Sequence, residues 1–265
     1  MEDKKFIKIP TFAELAVLNQ QADYLFWVGS AGSYDDRAKK ITRAFAKLLV
    51  HCNINFAVLG TEESDSGDVA RRAGNEFLFQ MQAMQNIETM KMYQVKKIIT
   101  CDPHDYNTLK NEYPELGGRY EVQHHSEFIY YLMQTKKIKI ETNILSKKVI
   151  TFHDPCYLGR GNSIFMEPRY ILQTITSRMT EMKRFKQRSL CCGAGGAQMF
   201  KEAEKGQLEI YNLRTKDAIE VNPEIIATAC PFCMTMLTDG IKLQEKQREI
   251  AVMDIVELLV QALGI

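Results

Sequence analysis

Short apolar runs alternate with longer amphipathic segments along the first half of the chain. The runs at 24–29, 55–60 and 96–100 have the length and composition of buried strands. The segment 35–52 between the first two runs has an apolar face at helical spacing, formed by Ala38, Ile41, Phe45, Leu48, Leu49 and Cys52. The pattern therefore predicts strands and helices in alternation.

A long helix is predicted over 68–94. Its apolar stripe is expected to lie in the core and consists of Ala70, Phe77, Met81, Met84 and Ile87. A helix from about residue 104, a strand near 120–123 and a helix at 125–134 complete the first half. His124 and His125 are expected to cap this last helix, with their rings pointing apart.

The second half repeats the alternation. Its predicted elements are a strand leading into a turn at 149–161, a helix near 166–177, a glycine-rich turn at 191–196, a helix near 200–220, a strand at 224–230, a helix after 231–233, and a strand–helix pair from about 249. Such alternation is typical of an α/β fold with mainly parallel sheets flanked by helices. The polar stretch 134–148 separates the halves, so we predict two domains, 1–140 and 141–265.

The spacing of the motifs indicates a tandem duplication. Cys156 and Cys191 lie 35 positions apart, and so do Ser30 and Asp65 in the first half. The sequence "ACPFC" near residue 230 has the counterpart "CDPHD" near residue 102. With a period of about 126 residues, oxygen side chains in the first half match cysteines in the second: Ser30 with Cys156, Asp65 with Cys191, Ser66 with Cys192, Asp102 with Cys230 and Asp105 with Cys233.

Composition and charge narrow the class of protein. The chain has 265 residues, 45% of them hydrophobic and 25% charged, which is ordinary for a globular protein. The net charge of +1 gives no electrostatic reason to expect nucleic acid or an acidic membrane surface as a partner. The N-terminal residues lack the apolar region of a signal peptide, and no apolar run approaches the roughly 18 residues of a membrane span. A cytoplasmic protein is expected.

The cysteines carry the strongest chemical signal. Seven are present, and five of them fall between 156 and 233, where clustering in a reducing compartment favours a metal site or redox chemistry over disulfides. Five thiolates exceed the four ligands of structural zinc, and the adjacent pair Cys191 and Cys192 suits two atoms of a larger cluster better than one small ion. Gly193 and the following glycines allow a tight turn around such a body. A helix from near Gln198 is expected to point its N-terminus at the site.

A family resemblance rests on these residues. The stretches "HDPCYLGR", "CCGAGG" and "ACPFC" resemble the cysteine-rich CCG domain proteins, which include the catalytic subunit of heterodisulfide reductase and iron–sulfur subunits of lactate and glycerol-3-phosphate oxidising systems. The resemblance implies two Rossmann-like lobes and a noncubane [4Fe–4S] cluster. It also implies the ligands, which would be Cys156, Cys191, Cys192, Cys230 and Cys233.

The first repeat departs from the family pattern. Oxygen donors do not replace thiolates around iron–sulfur clusters, so no cluster is expected at Ser30, Asp65, Ser66, Asp102 and Asp105. Two-cluster heterodisulfide chemistry is therefore not expected. The first lobe is then either purely structural or a divalent-cation site built from Asp65, Asp102 and Asp105 with His104 nearby.

The remaining candidates are weaker. His153 is a candidate for a hydrogen bond to a cluster sulfur or for proton transfer, or is a structural residue at a strand end. Arg160 and Lys201 either attract an anionic substrate or are simply solvated.

The expected function is that of an iron–sulfur oxidoreductase subunit acting on a thiol, a disulfide or a hydroxy-acid-linked couple. No ferredoxin-type cysteine run and no flavin or nicotinamide fingerprint is present, so electrons are expected from a ferredoxin-like or flavin-containing partner subunit. Any membrane association would be through that partner. The alternatives are a zinc protein using four of the five cysteines and a scaffold subunit of a larger complex.

Overall fold

Two four-stranded parallel sheets, each flanked by helices, form the protein. A computed structural model describes residues 8–140, 144–202, 206 and 208–265. The α/β class predicted from the sequence is confirmed. The predicted division at 140/141 stays a prediction, because residues 141–143 lie outside the described part of the chain.

In the described residues the first lobe contains four strands: β1 (Tyr24–Trp27), β2 (Phe56–Ala57), β3 (Lys97–Thr100) and β4 (Glu121–His124). Its helices are α1 (Phe12–Val17), α2 (Gly29–Tyr34), α3 (Ala38–His51), α4 (Asp68–Arg72), α5 (Glu76–Met92), α6 (Pro103–Asn107) and α7 (His125–Gln134). A π-helical turn at Thr108–Glu112 and two 3₁₀ turns, Gly60–Glu62 and Tyr113–Leu116, complete it.

The second lobe repeats this plan with β5 (Ile150–Phe152), β6 (Met179–Thr180), β7 (Ile225–Thr228) and β8 (Ala251–Asp254). Its helices are α8 (Gly159–Asn162), α9 (Met166–Ile175), α10 (Ile210–Ile219), α11 (Pro231–Leu243) and α12 (Ile255–Leu263), with 3₁₀ turns at Lys186–Arg188 and Gln198–Phe200. No helix in the described ranges is both long and apolar enough to cross a membrane.

The strand orders of the two sheets are equivalent, β2-β1-β3-β4 and β6-β5-β7-β8, and all neighbours are parallel. In register, Phe26 lies opposite Ile99 and Phe152 lies opposite Ala227. This equivalence fits the tandem duplication. Because the strands are parallel, the loops that leave β1 and β3 start at one edge of the first sheet, and those that leave β5 and β7 start at the same edge of the second.

A continuous hydrophobic core spans both lobes. It contains Phe45 and Phe128 from the first lobe together with Phe152, Ile171 and Leu258 from the second, all at most 1% exposed. The lobes therefore pack as halves of one body. The face predicted for α3 is confirmed, since Ala38, Ile41, Phe45, Leu48 and Leu49 are buried.

Buried polar contacts join the lobes beside this core. His125 Nε2 and Asp254 Oδ1 are hydrogen-bonded at 3.0 Å, and both side chains are fully buried. Burial lowers the pKa of His125 to about 3, so its ring is neutral at pH 7. The guanidinium of Arg37 binds both carboxylate oxygens of Glu257, at 2.8 and 2.7 Å.

The expectation that the rings of His124 and His125 point apart is wrong. His125 Nδ1 lies 3.1 Å from His124 Nε2, and the ring centroids are 4.3 Å apart. His124 is the extended N-cap residue and accepts from Ser126 N, whereas His125 is the first helical residue. The change of backbone conformation between them turns both rings inward. The predicted capping role is confirmed for His124.

The predicted helix over 68–94 is interrupted. Gly74 has a φ of +89° and ends α4, and Asn75 caps α5 by accepting from Leu78 N at 3.1 Å. The break changes which face of α5 is buried, so the predicted core stripe is wrong for three of its members, whereas Ile87 is buried as predicted. Phe77, Met81 and Met84 are 75%, 54% and 58% exposed. The buried face consists of Phe79, Ala83, Asn86, Ile87 and Met90.

The predicted helix over 200–220 is shorter than expected. It is helical only over Ile210–Ile219, and positions 203–205 and 207 lie outside the described residues. The helix expected from near Gln198 is a single 3₁₀ turn, Gln198–Phe200, because Lys201 after it is in the extended conformation, at a φ of −107° and a ψ of 155°. One turn of this length provides no helix dipole for the cysteine site.

We expect His125→Ala to reduce the free energy of unfolding by about 3 kcal/mol. The substitution removes a buried hydrogen bond to Asp254 and leaves a cavity at the contact between the lobes. The measurement is urea unfolding followed by far-UV circular dichroism. The control is His51→Ala, at the exposed end of α3, which is expected to change stability by less than about 0.5 kcal/mol. A loss below about 1 kcal/mol for His125→Ala would contradict the role given to this contact.

Candidate metal centre

Three loops bring the second-lobe cysteines to the edge of their sheet. Cys156 follows β5 by four residues, and Cys191 and Cys192 lie in the loop before α10. Cys230 is the extended N-cap residue of α11, and Cys233 lies in the first turn of that helix. Cys233 N donates to Cys230 Sγ at 3.5 Å, as a capping side chain requires.

The five thiols form one continuous series of contacts. Cys156 contacts Cys191, which contacts Cys192, and Cys192 in turn contacts Cys233. Cys233 completes the series by contacting Cys230. The other two cysteines, Cys52 and Cys101, lie buried in the first lobe. The structure therefore brings together all five cysteines that the sequence pattern singled out.

Asp154 ties two of these loops together. Its carboxylate accepts from both terminal nitrogens of Arg169, at 2.7 and 2.9 Å, and from Lys186 N at 2.8 Å. Its backbone carbonyl accepts from Ser189 Oγ at 3.2 Å. The loop that carries Cys156 is thus fastened to the loop that carries Cys191.

Gly193 makes the tight turn that the adjacent cysteines need. Its φ of +92° is accessible to glycine at little cost, and its N–H donates to Cys191 Sγ at 3.3 Å. Hydrogen bonds from the Cys156 and Cys192 thiols and from this N–H lower the pKa of Cys191 to about 2. The turn therefore favours a thiolate at Cys191.

Cys230 is also stabilised as a thiolate. Burial opposes ionisation, but hydrogen bonds from Cys233 and His104 outweigh it and lower the pKa of Cys230 to about 6. The pKa values of Cys156 and Cys192 are raised, in each case mainly by the contact with Cys191. The thiols share protons through their hydrogen bonds. A soft metal centre bound by all five sulfur atoms would displace those protons.

His153 directly follows β5 and is fully buried beside the thiols. One nitrogen of its ring lies within 4.8 Å of the sulfur atoms of Cys192 and Cys233. Arg214 Nε donates to His153 Nδ1 at 2.9 Å, so the neutral ring carries its hydrogen on Nε2. Nε2 is buried and has no hydrogen-bond partner among the described residues. This free N–H suits an acceptor in the cysteine pocket, such as the sulfur of an iron–sulfur cluster.

Arg214 could not be singled out from the sequence, because nothing in its local pattern separates a buried arginine from a solvated one on a helix. Arg160, a weaker candidate, donates to the Ser189 carbonyl at 2.7 Å and so has a structural role. Lys201, the other cationic candidate, is exposed.

The equivalent site in the first lobe is filled by hydrogen-bonded oxygen groups. Ser30 Oγ donates to Asp65 Oδ2 at 2.5 Å, and Gly67 N donates to Asp65 Oδ1 at 2.8 Å. Gly67, at a φ of +87°, matches Gly193 in the second lobe. The same backbone turn therefore carries oxygen-bearing side chains in the first lobe and cysteine side chains in the second.

Two carboxyl groups of the first-lobe site, those of Asp102 and Asp105, are buried. Asp102 Oδ1 accepts from His104 N at 2.8 Å, whereas Asp105 Oδ2 has no partner in the described part of the chain. Burial, and then the neighbouring charge of Asp65, raises the pKa of Asp105 to about 7. Among the described residues, Asp65, Asp102 and Asp105 do not form a group with all ligand atoms within 4.8 Å. The geometry gives no support to the divalent-cation hypothesis.

His104 instead reaches the second lobe. Its Nδ1 lies 3.0 Å from Asp68 Oδ2, and its ring contacts the rings of Tyr157 and Phe232 at centroid distances of 4.3 and 4.8 Å. A group of Asp102, His104 and Cys230 has all its ligand atoms within 4.8 Å. From the sequence, His104 was expected only beside the first-lobe carboxylates, because the contact with the other repeat depends on how the lobes pack.

Comparison with protein families identifies both repeats. The model of the CCG cysteine-rich domain matches residues 24–110 and 150–238. These ranges contain β1 to β3 of the first lobe and β5 to β7 of the second, with all five clustered cysteines.

Curated relatives match nearly the whole chain. The probable iron-sulfur-binding oxidoreductase FadF of Bacillus subtilis is 47% identical over 96% of the chain, and EtfAB:quinone oxidoreductase of Syntrophomonas wolfei is 41% identical over 92%. A subunit of the dihydromethanophenazine:CoB–CoM heterodisulfide reductase of Methanosarcina barkeri is 35% identical over 94%. The chain spans 36%, 35% and 61% of the lengths of these three relatives.

We expect Gly193→Ala to lower stability by about 1–2 kcal/mol, because a Cβ is strained at its positive φ. Displacement of the turn should also reduce the iron retained after anaerobic reconstitution. Thermal unfolding and iron analysis measure the two effects. Gly195→Ala is the matched control: its φ is not positive, and an added Cβ would be 3.9 Å from the nearest atom, in His104. Equal behaviour of the two variants would contradict the role given to Gly193.

Proposed function

The chain belongs to the CCG cysteine-rich domain family, and we propose from this that it is an electron-transfer subunit of an iron–sulfur oxidoreductase with one cluster in its second lobe. The proposed ligands are Cys156, Cys191, Cys192, Cys230 and Cys233. The observation that carries the proposal is the continuous series of thiol contacts at the edge of the second sheet.

The donor set favours iron–sulfur chemistry over zinc. Five soft thiolates exceed what a structural zinc ion binds, and the series of contacts includes all of them. The relative from Bacillus subtilis carries an iron–sulfur name. When bound, a cluster supplies the one-electron redox chemistry that these side chains lack. The zinc and scaffold alternatives are not favoured.

The noncubane [4Fe–4S] form is part of the proposal. Support comes from the adjacent pair Cys191 and Cys192, which would bind different iron atoms of an extended cluster. Gly193 lets the backbone pass close to that cluster and directs an N–H at the Cys191 sulfur. His153 would donate Nε2–H to a sulfur in the pocket, in a tautomer that Arg214 fixes. Arg214 donates to Nδ1 of His153, so the neutral ring has no free nitrogen that could accept a proton. We therefore propose that His153 donates a hydrogen bond and does not transfer protons.

Electron donors and acceptors are proposed by class only. The chain matches about a third of the Bacillus subtilis and Syntrophomonas wolfei relatives, so their remaining regions or separate subunits would hold the other redox centres. We propose a ferredoxin-like or flavin-containing partner, a cytoplasmic location, and membrane contact only through such a partner. The substrate class is a thiol–disulfide or a hydroxy-acid-linked couple.

The test is metal and sulfide analysis with EPR on anaerobically purified protein. We expect about four irons per chain in the wild type, and reduced iron content with an altered spectrum in Cys192→Ser, because an alcohol is a poor iron ligand here. Cys52→Ser is the matched control, since it changes a buried cysteine outside the series of contacts.

Two results would contradict the proposal. Unchanged iron content and spectrum in Cys192→Ser would remove that residue from the ligand set. Wild-type protein that holds one zinc ion and no iron would support the zinc alternative.

A further inference from the structure

The cysteine site approaches the protein surface on one side. Cys156 and Cys191 are partly exposed, whereas the other three thiols of the series are at most 3% exposed. Electron transfer between proteins becomes slower as the distance between their centres grows. The loops that carry Cys156 and Cys191 are therefore the part of the second lobe from which an electron has the shortest path to the site.

Basic side chains lie on the same two loops. Arg160 follows Cys156 by four residues, and Arg188 precedes Cys191 by three. Phe185, between these loops' basic residues, has a ring that is 39% exposed. Four cations that are exposed or half-buried form what we call the basic patch: Arg160, Lys183, Lys186 and Arg188.

The charge of the basic patch is not compensated. None of its four members forms an ion pair with a carboxylate of the described residues. Glu181 is bound by Arg169 at 2.6 Å, and Asp217 is bound by Arg184 at 2.6 and 2.7 Å. The charge of the exposed Glu220 acts on Arg184 as well. Positive charge is thus concentrated here in a chain whose net charge is only +1.

Hydrogen bonds fix the backbone beneath the basic patch. Arg214 Nη1 donates to the carbonyl of Arg184 at 2.7 Å, and the carboxylate of Asp154 accepts from Lys186 N at 2.8 Å. Arg160 Nη1 donates at 2.7 Å to a backbone carbonyl of the loop before the adjacent cysteines, which joins the two loops. A partner that bound here would not have to order these loops first.

We propose that the basic patch docks an acidic protein that carries a one-electron redox centre and delivers electrons to the second lobe. The proposal deepens the proposed function and rests on it, because a docked carrier needs a centre to reduce. One electron leaves the reduced carrier, which is oxidised, and enters the second-lobe centre, which is reduced; no bond forms or breaks. The positive charge would mainly raise the rate of encounter, and Phe185 would add an apolar aromatic contact.

The experiment uses a plant-type [2Fe–2S] ferredoxin, an acidic one-electron carrier, as the probe. Reduced ferredoxin is mixed with the anaerobically reconstituted chain in a stopped-flow spectrometer, and the second-order rate constant is measured at two salt concentrations. At low salt we expect Lys183→Glu/Arg188→Glu to react at least about tenfold more slowly than wild type. At about 0.5 M salt the two proteins should react within about twofold of each other, because salt screens exposed charges.

A second variant separates charge from other effects of substitution. Lys183→Gln/Arg188→Gln removes half as much charge and should lower the logarithm of the rate constant by about half as much. It also keeps the test usable if the charge-reversed variant does not fold.

The matched control is Lys47→Glu/Lys137→Glu, which changes the net charge by the same amount. Both lysines are exposed, and they lie near the C-terminal ends of α3 and α7, at the edge of the first sheet opposite to the one from which β1 and β3 leave. The control should react with ferredoxin within about twofold of wild type, since steering depends on charge near the site of contact.

Calorimetry on the chain before reconstitution tests docking apart from the centre. Oxidised ferredoxin should bind wild type at low salt with a dissociation constant at least about tenfold below that of Lys183→Glu/Arg188→Glu. Cytochrome c, a basic haem protein of similar size, should not bind wild type under the same conditions.

Four results would overturn the inference. Equal rates and affinities for wild type and Lys183→Glu/Arg188→Glu would show that the basic patch does not dock the carrier, and the proposed function would stand. An equal loss of rate in the control would assign the effect to net charge. Binding of cytochrome c as tight as that of ferredoxin would exclude selection by charge. Slower reduction of the charge-reversed variant by methyl viologen, a small cationic mediator, would show damage to the centre itself.

Failure of the proposed function has a different signature. Wild-type protein without iron and sulfide would refute the proposed function and the redox role of docking. The calorimetry would still decide whether the basic patch binds an acidic protein.

Discussion

The parallel pairing of β5 with β7 is the constraint on which the candidate centre depends. It places Phe152 opposite Ala227, so the chain leaves both strands at the same edge of the sheet. Cys156 follows one strand there, and Cys230 caps the helix that follows the other. The fold thus gathers thiols that are distant in sequence, and Asp154 fastens the loop of the adjacent cysteines to the same edge.

The two lobes share this arrangement of strands and loops through duplication. They differ in the side chains that the loops carry. Gly67 and Gly193 make the same left-handed turn. Around Gly67 the oxygen groups include the hydrogen-bonded pair of Ser30 and Asp65, and burial, with the charge of Asp65, raises the pKa of Asp105 to about 7. Around Gly193 the sulfur atoms lie in mutual contact and two of them favour the thiolate. Thiolate sulfur suits the iron of a cluster, whereas carboxyl oxygen does not.

Much of this could be predicted from local pattern. Strand and helix order, the duplication and the cluster of cysteines all followed from periodicity and spacing. The break at Gly74 was missed because the apolar period continues through it, and this put exposed Phe77 in the expected core. The contact of His104 with the second lobe and the role of Arg214 were missed for a different reason. Their partners lie in another lobe or on another element, and no sequence period encodes such contacts.

The most direct test of the central claim is anomalous diffraction at the iron edge from crystals grown without oxygen. The account predicts iron density in the second lobe alone, surrounded by the sulfur atoms of Cys156, Cys191, Cys192, Cys230 and Cys233. It predicts no iron beside Asp102 and Asp105 in the first lobe. Iron density at the first-lobe carboxylates, or a single zinc ion among the second-lobe cysteines, would contradict it.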